Sequence, residues 1–227
     1  MNRALAFAAI LLALGAGYFL FRSAGRMGDA KIEAAPQTAE ITTATEREIA
    51  EMYAIEARYP QFGIPAIDAE IKAVVEEAIA QFKKDAAEGP PPGSAVPRYE
   101  FASAFDFAYV GADIVSVELV VSTYLGGAHG ISFVTGLNFE KSSGRKLTLD
   151  DALALTGLTL QETAAKAKAE LGQKLGSDVI APEGADPTIE NYGTFLVGAD
   201  NVTFVFQVYQ VGPYAAGPQK ISFPRVQ

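Results

Sequence analysis

The chain has 227 residues, 49% hydrophobic and 10% aromatic, with a formal charge of −9 and no cysteine. That apolar content is enough for a packed core, which excludes a wholly disordered chain. The acidic balance leaves no basic face for nucleic acid, and without cysteine there are no disulfides, thiolate metal ligands or thiol nucleophiles.

Residues Ala4–Phe21, "ALAFAAILLALGAGYFLF", are uncharged and flanked by Arg3 and Arg22. At about 1.5 Å per residue, a helix of this length nearly crosses a hydrocarbon core about 30 Å thick. Large residues at Phe19, Leu20 and Phe21 stand where a cleaved leader would carry small ones. Residues 1–29 are therefore expected to form a retained signal anchor, with cleavage near Ser23-Ala24-Gly25 as the alternative. Arg3 lies before the span, and Arg22, Arg26 and Lys31 after it, so positive charge does not favour an exported C-terminus. Three arginines against Asp29 leave +2 on residues 1–29, and hence −11 on the remainder.

Residues 30–48 are rich in Ala, Thr and Glu and read as a flexible linker. Met52–Tyr59 reads as a first strand, stopped by Pro60. Ile67, Ile71, Val74, Val75, Ala78, Ile79 and Phe82 then recur at steps of three and four, which predicts an amphipathic helix. Gly89 and Pro90–Pro92 end it.

Tyr99–Val110 is strand-like. Val117, Leu119 and Val121 alternate with Ser116, Glu118 and Ser122, and Ile131, Phe133, Leu137 and Phe139 alternate with polar neighbours. Period two on both sides of a glycine-rich break predicts a β-hairpin with one buried face. Residues 142–146 form a turn. "LTLDDAL" opens a short helix, with Asp150 and Asp151 at its start, where acids suit the free N–H groups. Thr159–Leu175 predicts a second main helix with a stripe at Leu160, Ala164, Ala167 and Leu171. Tyr192–Val197 and Val202–Tyr209 flank "GADN" as another hairpin, and Lys220–Phe223 is expected as a last edge strand.

The break between the central strands reads "YLGGAHG", Tyr124–Gly130, and holds His129, the one histidine of the chain. Gly126, Gly127 and Gly130 fit a tight turn. His129 admits three readings: a side chain bonded to nearby backbone, part of a binding surface, or a base or metal ligand. A histidine metal site normally recruits further histidines or cysteines. No G-x-S-x-G, P-loop or dinucleotide fingerprint occurs. No catalytic residue, metal ligand or cofactor site is therefore assigned.

"SVELVVSTYLGGAHG" (116–130), "LNFEKSSGRKLTLDDAL" (137–153) and "FLVGADNVTFVFQVYQVGPYAAGPQKISFP" (195–224) together resemble the RsiV-like family. These are extracellular domains of lysozyme-sensing anti-sigma factors; a similar region stands beside the catalytic domain of some peptidoglycan deacetylases. The resemblance implies an α+β fold on the outer side of the cytoplasmic membrane. In full, the expectation is an antiparallel sheet built of hairpins with two main helices packed on one face, preceded by one N-terminal membrane helix. The domain would cover 49–227, divisible near 49–145 and 146–227. Only Met1–Arg3 precede the apolar run, so a sigma-binding segment is not expected, and one histidine is too few for the deacetylase metal site. What the resemblance implies is a non-catalytic cell-envelope binding module, inner-membrane anchored or periplasmic, for a lysozyme-like basic protein or a cell-wall glycan. Its candidate surface is Tyr124, Gly126, Gly127, His129, Tyr209 and Tyr214, since aromatic residues favour such contacts. A cell-wall hydrolase and an assembly factor for a neighbouring envelope protein are the alternatives.

Overall fold

The computed structural model describes residues 31–34 and 41–226. The expected membrane helix at Ala4–Phe21 lies outside these residues. Among the described residues no helix is long and apolar enough to cross a membrane.

Strands β2 (Thr42–Ile49), β3 (Tyr53–Gln61), β4 (Tyr99–Val110), β5 (Ile114–Tyr124) and β6 (Ile131–Glu140) form a sheet in that order, and β1 (Lys31–Ala34) also pairs with β4. Helix α1 (Pro65–Asp85) covers one face, burying Ile67, Ile71, Val75, Ile79 and Phe82 as the periodicity predicts. Pro65 suits the first turn, and Lys83 and Lys84 suit the last. Asp68 accepts the Phe62 N–H at 2.7 Å, tying the helix start to the end of β3. Opposite the helix lie Ile55, Ala57, Tyr59, Phe101, Val117, Leu119, Leu137 and Phe139.

The sheet is mixed, not antiparallel as expected. β3 and β4 run parallel over Tyr53–Ala57 and Tyr99–Ser103 because α1 is the crossover between them. Beyond Ala57 β3 leaves β4, and β1 takes the vacated edge in parallel at Phe107–Val110. Pro60 therefore does not stop β3: it lies past the residues that bond β4, so its missing N–H interrupts no bond there.

The expected flexible linker is also corrected. Thr42–Ile49 is an edge strand antiparallel to β3. Its residues are mostly exposed, so its composition looks like a tether, yet side chains fasten it. Tyr59 donates to Glu46 and Tyr53 to Glu48, both at 2.7 Å. Lys83 reaches Glu48 at 2.6 Å, and Arg47 reaches Glu56 at 3.0 Å.

A second core forms after Lys146. Helices α2 (Leu149–Thr156) and α3 (Leu160–Leu175) and the helical turn α4 (Ile189–Tyr192) surround a three-stranded antiparallel sheet, β7 (Phe195–Val197), β8 (Asn201–Phe206) and β9 (Gln219–Pro224). Ala164, Ala167 and Leu171 pack here with Tyr192, Phe204, Phe206, Ile221 and Phe223. The two main helices thus serve different sheets and do not share one face, contrary to the expectation. The strand expected from Tyr192 begins only at Phe195. Thr188 caps α4, and Tyr192 is fully buried within that turn, donating to the Ala185 carbonyl at 3.0 Å. Burial pushes its phenol up to about 12.

Both α2 and α3 begin with reciprocal caps, Thr148 with Asp151 and Thr159 with Glu162. Asp151 also meets the Arg145 guanidinium at 2.8 Å. Arg145, helped by the Thr148 N–H, pulls its carboxyl from 3.8 down to about 2. A lowered carboxyl stabilises above its unfolded value and loses that stability as pH falls through the folded one. Asp151→Asn is expected to cost about 1 kcal/mol at neutral pH. The gap from the parent should close as pH drops from about 4 to about 2, which urea midpoints at each pH will show.

The two cores meet across the outer face of β5 and β6. Directly opposed residues share a sheet face, which places Ser116, Glu118, Val120, Val134, Gly136 and Asn138 together. Ser116 donates to Asn138 at 2.7 Å, Asn138 donates to the Phe195 carbonyl at 2.8 Å, and the Val197 N–H donates to Ser116 at 3.0 Å. The Gln207 amide pairs with both backbone groups of Val134, at 2.9 and 2.8 Å, closing part of the β6 edge. Val120, Val134, Leu196 and Val205 form a small apolar cluster between these bonds. Lys220 of β9 meets the buried Glu118 carboxylate at 2.6 Å.

Candidate functional site

The β5–β6 pairing ends at Thr123 and Ile131, and Leu125–Gly130 form the loop beyond the last β5 residue, Tyr124. Gly126 and Gly127 sit at φ 89° and 91°, a conformation that a side chain would strain. The Tyr124 hydroxyl donates to the Gly127 carbonyl at 2.9 Å, bracing the loop from within.

His129 is exposed, and its Nδ1 lies 2.8 Å from the Gly130 carbonyl. A carbonyl only accepts, so Nδ1 carries the hydrogen, and in that tautomer Nε2 is an acceptor. The same carbonyl accepts from the Tyr214 hydroxyl at 3.0 Å. Two rings anchored on one oxygen are thereby held face to face, with centroids 4.2 Å apart and planes at 24°. Tyr214 reaches this place from a short helical turn after Pro213, next to β9.

Tyr209 extends the array, 5.6 Å from Tyr214 and tilted by 37°. It is 50% exposed and adopts φ 66°, where bulky residues are rare. A tight turn imposes this. The Gln210 N–H donates to the Gln207 carbonyl at 3.0 Å, and the Gln207 N–H donates to the Gln210 side chain at 2.8 Å. The Gln210 amide in turn donates to the Gly184 and Asn191 carbonyls, at 2.9 and 3.1 Å. Among the described residues, the Tyr209 hydroxyl and His129 Nε2 make no hydrogen bond.

Of the predicted site residues, the fold therefore brings His129, Tyr214 and Tyr209 into one row of rings. Gly126, Gly127 and Tyr124 shape the loop that carries His129. Gln207 and Gln210 were not predicted. They flank Tyr209 in sequence, but nothing in their spacing announces a turn with positive φ.

Two carboxylates of β4 are partly buried. Glu100 is opposite Tyr124, and burial pushes its carboxyl up. Asp106 sits in the β4 bulge, pushed up by burial and partly countered by Lys220. Among the described residues no cluster of three or more His, Cys, Asp or Glu is placed to hold a metal. A cavity of about 330 Å³ lies elsewhere, between β2 and α1, lined by charged residues such as Glu46, Glu76 and Lys83. The row of rings is a surface ledge.

Residues 147–225 match the family described as a protein of unknown function, DUF3298. Residues 46–132 match the family described as deacetylase PdaC. Over 170 residues, 74% of the chain, there is 25% identity to the peptidoglycan-N-acetylmuramic acid deacetylase PdaC of Bacillus subtilis (strain 168), and the chain spans 36% of that protein's length. Among solved structures, a DUF3298 family protein from Pseudomonas aeruginosa PAO1 superposes with a TM-score of 0.57 at 16% identity, covering 83% of this chain and 91% of that one. A member from Bacteroides fragilis NCTC 9343 gives 0.52 at 22% identity, covering 82% and 90%. These likenesses establish a shared fold. His129 falls in the PdaC-like region and Tyr209 and Tyr214 in the DUF3298-like region, so the ledge is assembled from both halves of a chain similar to these two families.

Proposed function

We propose that the chain is a non-catalytic binding module of the bacterial cell envelope, and that the His129–Tyr214–Tyr209 ledge is its ligand-facing surface. The domain would stand on the extracytoplasmic side, anchored through residues 4–21 or released if the leader is cut. The likeness to a peptidoglycan deacetylase supports the compartment. The carrying observation is the His129–Tyr214 stack, where two distant segments converge on the Gly130 carbonyl to hold an exposed imidazole in place. Aromatic rings with a polar rim are favoured at binding surfaces.

The test is retention of the full chain on peptidoglycan sacculi. Tyr214→Ala and His129→Ala are each expected to weaken retention by about tenfold, the scale of one lost ring contact. Unchanged retention in both variants rejects the ledge. A second reading, binding of a lysozyme-like basic protein, is favoured by the charge of −11 on residues 30–227. Its signature would be capture on immobilised lysozyme that fades with salt. Release of products from muropeptides, abolished by His129→Ala, would replace both readings with a hydrolase. Co-purification with one membrane protein, insensitive to the ledge variants, would favour an assembly factor.

A further inference from the structure

We infer that the ledge takes the ring of an uncharged saccharide, and that Tyr209 is the residue that grips it. The inference rests on the binding-module reading and adds a ligand class to it.

Tyr209 carries the argument. A bulky residue at φ 66° is strained, and such strain persists only where the surroundings impose it. Here the Gln207–Gln210 turn imposes it through four hydrogen bonds, two of them from the Gln210 amide to carbonyls of neighbouring helical turns. The ring thus held is half in solvent, so the strained conformation displays an aromatic side chain without burying it. A glycine would satisfy the turn without strain.

The chemistry around the ring narrows the ligand. Tyr214 lies between His129 and Tyr209, and its hydroxyl is spent on the Gly130 carbonyl. The Tyr209 hydroxyl and His129 Nε2 have no protein partner among the described residues, so the ledge offers one donor-acceptor and one acceptor beside aromatic faces. A pyranose matches this: an apolar face of C–H groups to lie on a ring, and peripheral hydroxyls to meet the polar atoms. None of the ion pairs of the described residues involves a ledge residue, so nothing there selects a charged ligand.

The test titrates the full chain with a soluble β-1,4-linked tetramer of N-acetylglucosamine, by calorimetry at low and high salt. Saturable binding that is insensitive to salt is expected. Tyr209→Gly should weaken it by about tenfold while the melting temperature stays level or rises, because glycine relieves the strained φ. Tyr209→Phe should keep the melting temperature of the parent and most of the binding. Absence of saturable binding overturns the inference, as does binding unaffected by Tyr209→Gly. A lower melting temperature in Tyr209→Gly also overturns it, because the ring is then a packing element. If the tetramer fails to bind while sacculi or lysozyme are still retained, the module stands and the saccharide falls. If none of the three is retained, both fall.

Discussion

Gly136→Ala is expected to destabilise the protein by about 3 kcal/mol, at the upper end of overpacking costs. A Cβ at Gly136 would overlap the Phe195 carbonyl oxygen and sit 3.0 Å from its carbon. Gly136 belongs to the paired backbone of β6 and Phe195 to that of β7, so no side chain can swing away. The same carbonyl accepts from Asn138, which is bonded to Ser116, which accepts from Val197. Pushing β7 outward would break that buried chain as well, and each polar group left unpaired costs about 1–3 kcal/mol. Urea unfolding, followed by circular dichroism, measures the effect. A midpoint within error of the parent would mean that the two sheets do not meet at this distance in solution.

Lys220→Met is expected to cost about 2–4 kcal/mol, most of it from the charge it abandons. The Glu118 side chain is 4% exposed, with its carboxylate 2.6 Å from the Lys220 ammonium, which is itself 42% exposed. Losing a half-solvated lysine is cheap in itself. Leaving a carboxylate buried against the second sheet is not. Asp106 loses its attractive charge at the same time. Replacing both partners, as Glu118→Leu with Lys220→Met, should recover most of the loss, since an apolar pair removes the desolvation penalty. Thermal unfolding of the single and double variants forms the cycle. A double variant as unstable as Lys220→Met would show that the abandoned Glu118 charge is not the source of the loss.

The hydrophobic pattern anticipated α1, β4, the β5–β6 hairpin and α3 because burial writes its period into the residues, but it promised one buried face for the hairpin where β5 is buried on both, its polar Ser116 and Glu118 included. It missed what the backbone does alone. β2 contributes ladder bonds and a few charged side chains, so Thr42–Ile49 looked like tether. The parallel pairing of β3 with β4 joins Tyr53 to Tyr99 across a whole helix, and only the strand–helix–strand order hints at it. Assignment of α1 and α3 to separate sheets depends on contacts between distant segments, of which local period carries no trace. At the ledge, the glycines marked the His129 loop, and the aromatic residues marked the Tyr209–Tyr214 segment. Their union depends on a bond between Tyr214 and Gly130, eighty-four residues apart. Tyr209's positive φ was invisible because it is enforced by the Gln210 side chain, which closes the turn and reaches distant helical turns.

The outer rim of β2 has a consequence for how these molecules behave when crowded. Its outer side, which pairs with no other strand among the described residues, is the kind of rim that can template fibril growth. Glu46, Arg47 and Glu48 punctuate it, each engaged in a bond that fixes where its charge lies. A copy approaching in register would face this alternation of sign at close range. The most linker-like stretch of the described chain thus doubles as a gatekeeper, keeping neighbouring copies from stacking into one continuous ribbon.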